Sequence, residues 1–385
     1  MRAATLRMAA LIGLTVGLAG CGGSSLIKAE DPPAIDDAVP AAEATQHWEA
    51  RLGADTPPGY RLEPALFDRR IFAAAADGAV MAFDAETGEQ LWRQSLDASI
   101  SGAVGVGESG VAVGTAAAEV ILLDTNNGEV KWRHGVSSEV LAPPAVGQGS
   151  VVARTGDGGV FALDAESGQQ RWLYRRNVPA LSLRGHAAPV LVNGGVVAGF
   201  DNGRLSALDL ETGDPAWEAT VAVPEGRSDL ERMVDLDADP AVAGGDLFAG
   251  TYQGRLAGIA LADGQIAWTR DVSVLGGVAV DDSNVYVTDD EGRVSAYDRR
   301  NGASVWRLDA LEGVELTSPR RYRDGLIVAG SDGYLNRIGR RDGKLQSRHL
   351  VGNARLSAPP LVDGDRIITL DRRGRLRAIS IETNN

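Results

Sequence analysis

The chain repeats itself about every forty residues, and that period limits what it can fold into more than any other feature. Gly78-Ala-Val-Met-Ala-Phe-Asp84-Ala-Glu-Thr-Gly88-Glu-Gln-Leu-Trp92 returns as Val120-Ile-Leu-Leu-Asp124-Thr-Asn-Asn-Gly128-Glu-Val-Lys-Trp132, and again at 158–172. Further copies span 203–217 and 292–306. A fifth, at 254–268, has Ala260 where the pattern calls for Asp. A seventh has Gly339 for Asp and Ser347 for Trp, and an eighth, ending at 384, stops before any tryptophan. The Asp column stands at 84, 124, 164, 209, 260, 298, 339 and 380, so the steps are 40, 40, 45, 51, 38, 41 and 41.

Each copy reads as short strands. Alternating runs such as Val151-Val-Ala, Val285-Tyr-Val and Leu326-Ile-Val-Ala lead into Asp-Gly or Asn-Gly pairs (Asp77-Gly78, Asp157-Gly158, Asn202-Gly203, Asp332-Gly333). Such dipeptides supply the positive φ of a tight hairpin. A second strand reaches the Asp, whose carboxylate can accept backbone N–H groups ahead of it, while the following Gly takes the left-handed position of the turn. A third strand ends in Trp, and an earlier one begins near a proline such as Pro144 or Pro319. That makes four antiparallel strands per repeat.

Eight small sheets cannot each bury both faces alone, and radial stacking solves this while leaving only short edges. The expected fold is all-β: an eight-bladed β-propeller of four-stranded antiparallel blades. Six tryptophans share one column and belong between blades. Burying ~200 Å² of each at ~25 cal/mol per Å² gives roughly 5 kcal/mol as an upper bound. The eighth copy lacks its last strand, and Trp48 lies one repeat before Trp92. The segment around Trp48 is therefore expected to complete the last blade from the amino end, making 45–385 one closed domain.

The amino terminus reads as an address. Arg2 and Arg7 precede an apolar run over 8–18 that is too short for a permanent membrane span and suits a secretory signal. It ends in Leu18-Ala19-Gly20-Cys21, which resembles the lipobox of bacterial lipoproteins. The resemblance implies removal of 1–20 and acylation of Cys21, the only cysteine; two or three acyl chains suffice for a stable anchor where one does not. Gly22 rather than Asp follows, which by analogy with lipoprotein sorting favours the periplasmic face of the outer membrane. Residues 21–44, with Gly22-Gly-Ser-Ser and Asp31-Pro-Pro, read as a flexible tether.

Composition removes several functions. With 38 Lys and Arg against 52 Asp and Glu, the formal charge is −14, which argues against nucleic-acid binding. One cysteine excludes an intramolecular disulfide and a Cys-based zinc cluster, and the four histidines are scattered. The repeat resembles that of the quinoprotein dehydrogenases, but the resemblance implies a cysteine pair that is absent here. Gly105-x-Gly107-x-x-Gly110 fits a hairpin better than a dinucleotide site, since no helix pattern follows. Asp235-x-Asp237-x-Asp239 has Pro240 where a calcium loop needs Gly. No enzyme and no cofactor beyond the covalent lipid on Cys21 is expected.

The two long steps mark insertions between a Trp and the next Val-rich strand. One, between Trp172 and Pro189, carries Leu181, Leu183 and Arg184; the other, between Trp217 and Pro240, carries Leu230, Met233, Asp235, Leu236 and Asp237. Loops at equivalent places in adjacent blades leave from one face, so the two should be neighbours. Apolar anchors rimmed by charge suit protein recognition. The same residues also fit two tolerated insertions, in which Arg184 and Asp235 or Asp237 pair only to hold them, since longer loops cost little. A propeller that binds a small ligand or cell-wall component without catalysis is the rival reading.

Lipobox, eight repeats and the two loops together resemble the BamB family, lipoproteins of the outer-membrane β-barrel assembly machinery. The most specific stretches are Val178-Pro-Ala-Leu-Ser-Leu-Arg-Gly185, Gly199-Phe-Asp-Asn-Gly-Arg-Leu-Ser-Ala207, Glu231-Arg-Met-Val-Asp-Leu-Asp237 and Leu316-Thr-Ser-Pro319. The resemblance implies a non-enzymatic scaffold whose Leu181, Leu183, Arg184, Asp235 and Asp237 contact the periplasmic domains of BamA, the barrel-inserting subunit of the BAM complex. It also implies that the complex receives unfolded outer-membrane proteins.

Overall fold

Thirty-two strands pair into eight antiparallel sheets of four in the computed structural model, which describes residues 43–179, 181–182, 187–356 and 358–382. Cys21 and its tether up to residue 42, and Leu183 and Arg184 of the first insertion, lie outside the described residues. Blade 1 shows the plan: Ala65–Phe67, Arg70–Ala74, Ala79–Asp84 and Gln90–Ser95 lie side by side in chain order. Blades 2 to 7 follow at 100–135, 145–175, 190–220, 241–271, 278–308 and 320–350. The Gly-rich stretch at 105–110 is the hairpin between Ile100–Gly107 and Gly110–Thr115.

Blade 8 takes Leu361–Asp363, Arg366–Leu370 and Arg375–Ile381 from the carboxyl end and Ala44–Arg51 from the amino end. The closing strand runs antiparallel from Ala44 opposite Ile381 to Arg51 opposite Arg375. Arg377 ties it down, donating from Nε to Glu49 at 2.8 Å and from Nη1 to Asp371 at 3.0 Å. The ring is therefore shut by hydrogen bonds between sequence-distant strands, as the placement of Trp48 required.

The core lies between blades. Trp48, Leu52, Ile71, Met81, Phe83, Ile368, Leu376 and Ala378 form one cluster that joins blade 8 to blade 1, and similar clusters fill the other interfaces. All seven indoles do the same work. Each packs on the turn glycine of the next blade and donates its N–H to the carbonyl just after that blade's Asp position. The acceptors are Ala85, Thr125, Ala165, Leu210, Leu261, Arg299 and Arg340, at 2.8–3.3 Å. Asp84, Asp124, Asp164 and Asp209 accept the N–H groups two or three residues ahead. These backbone bonds hold the Asp84, Asp124 and Asp209 carboxyls below the usual carboxylate range. Asp164 is lowered first by Arg171, then by Ser167. At Ala260 the turn persists without that carboxylate, with Gly264 N–H on the Ala260 carbonyl at 2.9 Å and Gln265 N–H on Asp263 Oδ1 at 3.0 Å.

The interface between blades 7 and 8 has no tryptophan, because Ser347 takes that place. Tyr322 fills the gap. Its ring is buried with Ile367, Ile379 and Ile381, and its hydroxyl donates to Asp365 O at 3.0 Å and accepts Ile381 N–H at 3.2 Å.

Alternating strand direction sorts the connections. Turns between first and second strands, and between third and fourth, lie at one end of the blades. Hairpins between second and third strands share the other end with the links from blade to blade. Both insertions are such links, so they leave from one face.

Candidate functional site

The first insertion joins blade 3 to blade 4 and the second, at 221–240, joins blade 4 to blade 5. They touch: Ala187 N–H donates to Leu236 O at 3.3 Å, and Ala188 N–H to Asp239 Oδ1 at 2.8 Å.

The second insertion has an exposed tip and a buried stem. At the tip, 225–232, Glu231 accepts Arg227 N–H at 2.7 Å and Ser228 N–H at 3.3 Å, while Ser228 Oγ accepts Glu231 N–H at 3.2 Å. This reciprocal capping holds the turn, and the backbone donors lower the Glu231 carboxyl. From Met233 to Ala238 every residue is buried. Leu236 lies among Val197, Val221, Leu247 and Ala249, and Asp235 O accepts Tyr252 N–H at 2.9 Å. Met233 and Leu236 are therefore core, which corrects their reading as surface anchors. The sequence pattern misled because the stem turns inward between blades 4 and 5, where apolar residues are needed for packing.

The acids turn inward too. Asp235 is 0% exposed and Asp237 4%. They stand near a fully buried ion pair between Arg154 of blade 3 and Asp201 in the second-to-third hairpin of blade 4. Burial is the main cause that pushes the Asp237 carboxyl well above the usual range, helped by the Asp201 and Asp235 carboxylates; Arg154 and Arg61 pull the other way. Arg61, between the closing strand and blade 1, reaches across to this stem. It donates from Nη1 to Asp237 O at 3.3 Å and from Nη2 to Asp239 Oδ2 at 3.4 Å. Among the described residues no group of three or more His, Cys, Asp or Glu is placed to hold a metal ion.

Apolar surface concentrates on the two insertions. Of nine exposed large apolar side chains among the described residues, five sit on outer strands of blades and the other four are Val178, Leu181, Val223 and Leu230. Leu181 is 44% exposed, Leu230 59% and Val223 61%. Of the five residues marked from the sequence, the structure thus places Leu181 at the surface and Asp235 and Asp237 beneath it.

Arg154, Asp201 and Arg61 escaped sequence reading. Arg154 left a signal: it ends Ser150–Arg154, whose counterparts in blades 1, 4 and 5 end in Ala74, Gly199 and Gly250. A cation at the end of an otherwise apolar strand implies a buried partner. Arg61 lies outside the repeat and left no signal.

A profile of the family described as "Outer membrane protein assembly factor BamB" matches residues 38–308. The chain belongs to the BamB family. A BamB from Alkalilimnicola ehrlichii is 46% identical over 365 residues, covering 94% of each chain. The one from Pseudomonas aeruginosa is 42% identical over 97% of this chain and 98% of its own, and that of Escherichia coli K12 is 31% identical over 99% and 100%. The crystal structure of BamB from Moraxella catarrhalis superposes with a TM-score of 0.81 at 27% identity, over 88% of this chain and all of that one. A quinohemoprotein alcohol dehydrogenase from Pseudomonas putida reaches 0.71 at 12% identity over 88% of this chain and 76% of its own, which is a likeness of fold alone. BamB-family membership makes the chain a non-catalytic outer-membrane protein assembly factor.

Proposed function

We propose that the protein is a lipid-anchored scaffold of the BAM complex that docks the periplasmic domains of BamA through the face bearing the two insertions. The anchor is acylated Cys21, and the tether at 21–44 lets the propeller work at the periplasmic surface of the outer membrane. Leu181 and Leu183 fill the apolar contact and Arg184 orients it. Asp235 and Asp237 serve from below, shaping the stem that presents the surface.

The observation that carries this reading is the pairing of two touching insertions, rich in exposed apolar side chains, with a stem buried between blades. Exposed anchors on a rigid support lose little entropy on binding. The test is affinity purification from detergent-solubilised envelope, comparing wild type with a Leu183→Ala, Arg184→Ala double variant. BamA recovery should fall while thermal unfolding stays unchanged; equal recovery would overturn the assignment.

A further inference from the structure

We infer that Arg61 is a positioning residue of the docking face: it fastens the stem of the second insertion, and through it the end of the first, to the segment that closes the ring. The inference rests on the proposed docking role of the two insertions.

Three observations carry it. The first is a shared junction. The guanidinium of Arg61 donates to the Asp237 carbonyl at 3.3 Å and to Asp239 Oδ2 at 3.4 Å, and the other oxygen of that same carboxylate accepts Ala188 N–H at 2.8 Å. One arginine and one aspartate thus join segments around 61, 188 and 237, which no run of sequence brings together.

The second is the rigidity of the platform that carries Arg61. Its neighbour Leu62 is buried in the interface of blades 1 and 2 with Phe72 and Trp92. Arg61 itself bridges in parallel to Gly102 of blade 2. Upstream, Leu52 N–H and Thr56 N–H donate to the Gly374 and Arg372 carbonyls of blade 8, each at 2.8 Å. Glu63 then aims the side chain, accepting from Nη2 at 2.6 Å and from Nε at 3.2 Å. A planar fork with its direction fixed in this way loses little freedom in bonding to the stem.

The third is electrostatic need. The stem buries Asp235 and Asp237 beside Asp201, and Arg154 is ion-paired to Asp201. Arg61 adds a second positive charge, paired with Asp239, which remains partly exposed. Removing it leaves the Asp237 carbonyl and the Asp239 carboxylate without that donor and frees the stem from the ring-closing segment. The tip at 225–232, which presents Leu230, then moves relative to the first insertion, while the blades stay packed.

The experiment uses the full chain with Arg61→Ala, Arg61→Lys and Leu181→Ala. Amide hydrogen exchange is followed at Ala187, Ala188 and residues 233–239, together with thermal unfolding and affinity for the purified BamA periplasmic domains. For Arg61→Ala, exchange at these amides should rise at least tenfold with protection inside the blades unchanged, and affinity should fall several-fold; Arg61→Lys should recover part of both. Unchanged exchange overturns the inference, and so does raised exchange with unaltered affinity. Leu181→Ala separates the two claims: it should weaken binding without touching exchange. If it binds like wild type, the docking reading has failed; if it binds weakly while Arg61→Ala binds normally, only the positioning role has failed.

Discussion

Trp48 lies flat against Gly88: a Cβ added at Gly88 would come within 2.5 Å of the indole Cδ2, and the indole N–H reaches Ala85 O at 3.3 Å. The pair joins the first described strand to the first blade and so holds the ring shut. Six other indoles repeat the arrangement at Gly128, Gly168, Gly213, Gly264, Gly302 and Gly343.

Replacing Trp48 by Ala should destabilise the protein by about 3–5 kcal/mol, the usual cost of deleting a buried indole. The loss should be measured by urea unfolding. It should exceed that of Trp217→Ala, because Trp217 is the one indole of the seven that is only partly buried. A smaller loss at Trp48 would mean that the closing strand holds by its ladder bonds alone.

Gly128→Ala separates strain from clash. Gly128 has φ +75° and lies under the Trp92 ring, where a Cβ would sit 2.5 Å from Cε3; Gly194 has φ +71° and open space. Gly194→Ala should cost only the left-handed penalty, about 1 kcal/mol. Gly128→Ala should cost more, by a further ~1–3 kcal/mol for overpacking, as read from unfolding midpoints.

Tyr322→Phe tests the interface that lacks tryptophan. The ring would remain, but Asp365 O and Ile381 N–H would lose their partner. Leaving buried polar groups unmet costs about 1–3 kcal/mol. Restoring an indole at this same interface, by Ser347→Trp, should not rescue the variant, because the Tyr322 hydroxyl and not the outer strand makes these bonds.

Asp237 gives a pH signature opposite in sign to that of the turn aspartates. Its folded carboxyl titrates well above its unfolded value, so above the ordinary carboxylate range the native state holds a proton that the unfolded state has lost. Stability from this group therefore falls as pH rises through that window. Asp237→Asn should gain stability over wild type as pH is raised from 4 toward 8, by urea unfolding at each pH. Asp84, Asp124 and Asp164 are lowered instead, so their contribution is present above the unfolded value and lost as pH falls below it.

Sequence alone determined the wheel. Its period, the Asp-to-Gly turns and the indole column each depend on neighbours within one repeat or on the same place in the next, and Trp48 stood one repeat ahead of Trp92. The link of both insertions to one face also followed, since strand alternation fixes which end a connection leaves from. Only the tertiary structure decided which side of each loop meets solvent. Met233, Asp235, Leu236 and Asp237 lie in the same short run as the exposed Leu230, and nothing local says that the chain dives between blades 4 and 5 after Arg232. Tyr322 and Arg61 were hidden because neither has a partner written in its neighbours: Ile381 reaches Tyr322 only when blade 8 packs on blade 7, and Asp239 reaches Arg61 only across the closed ring.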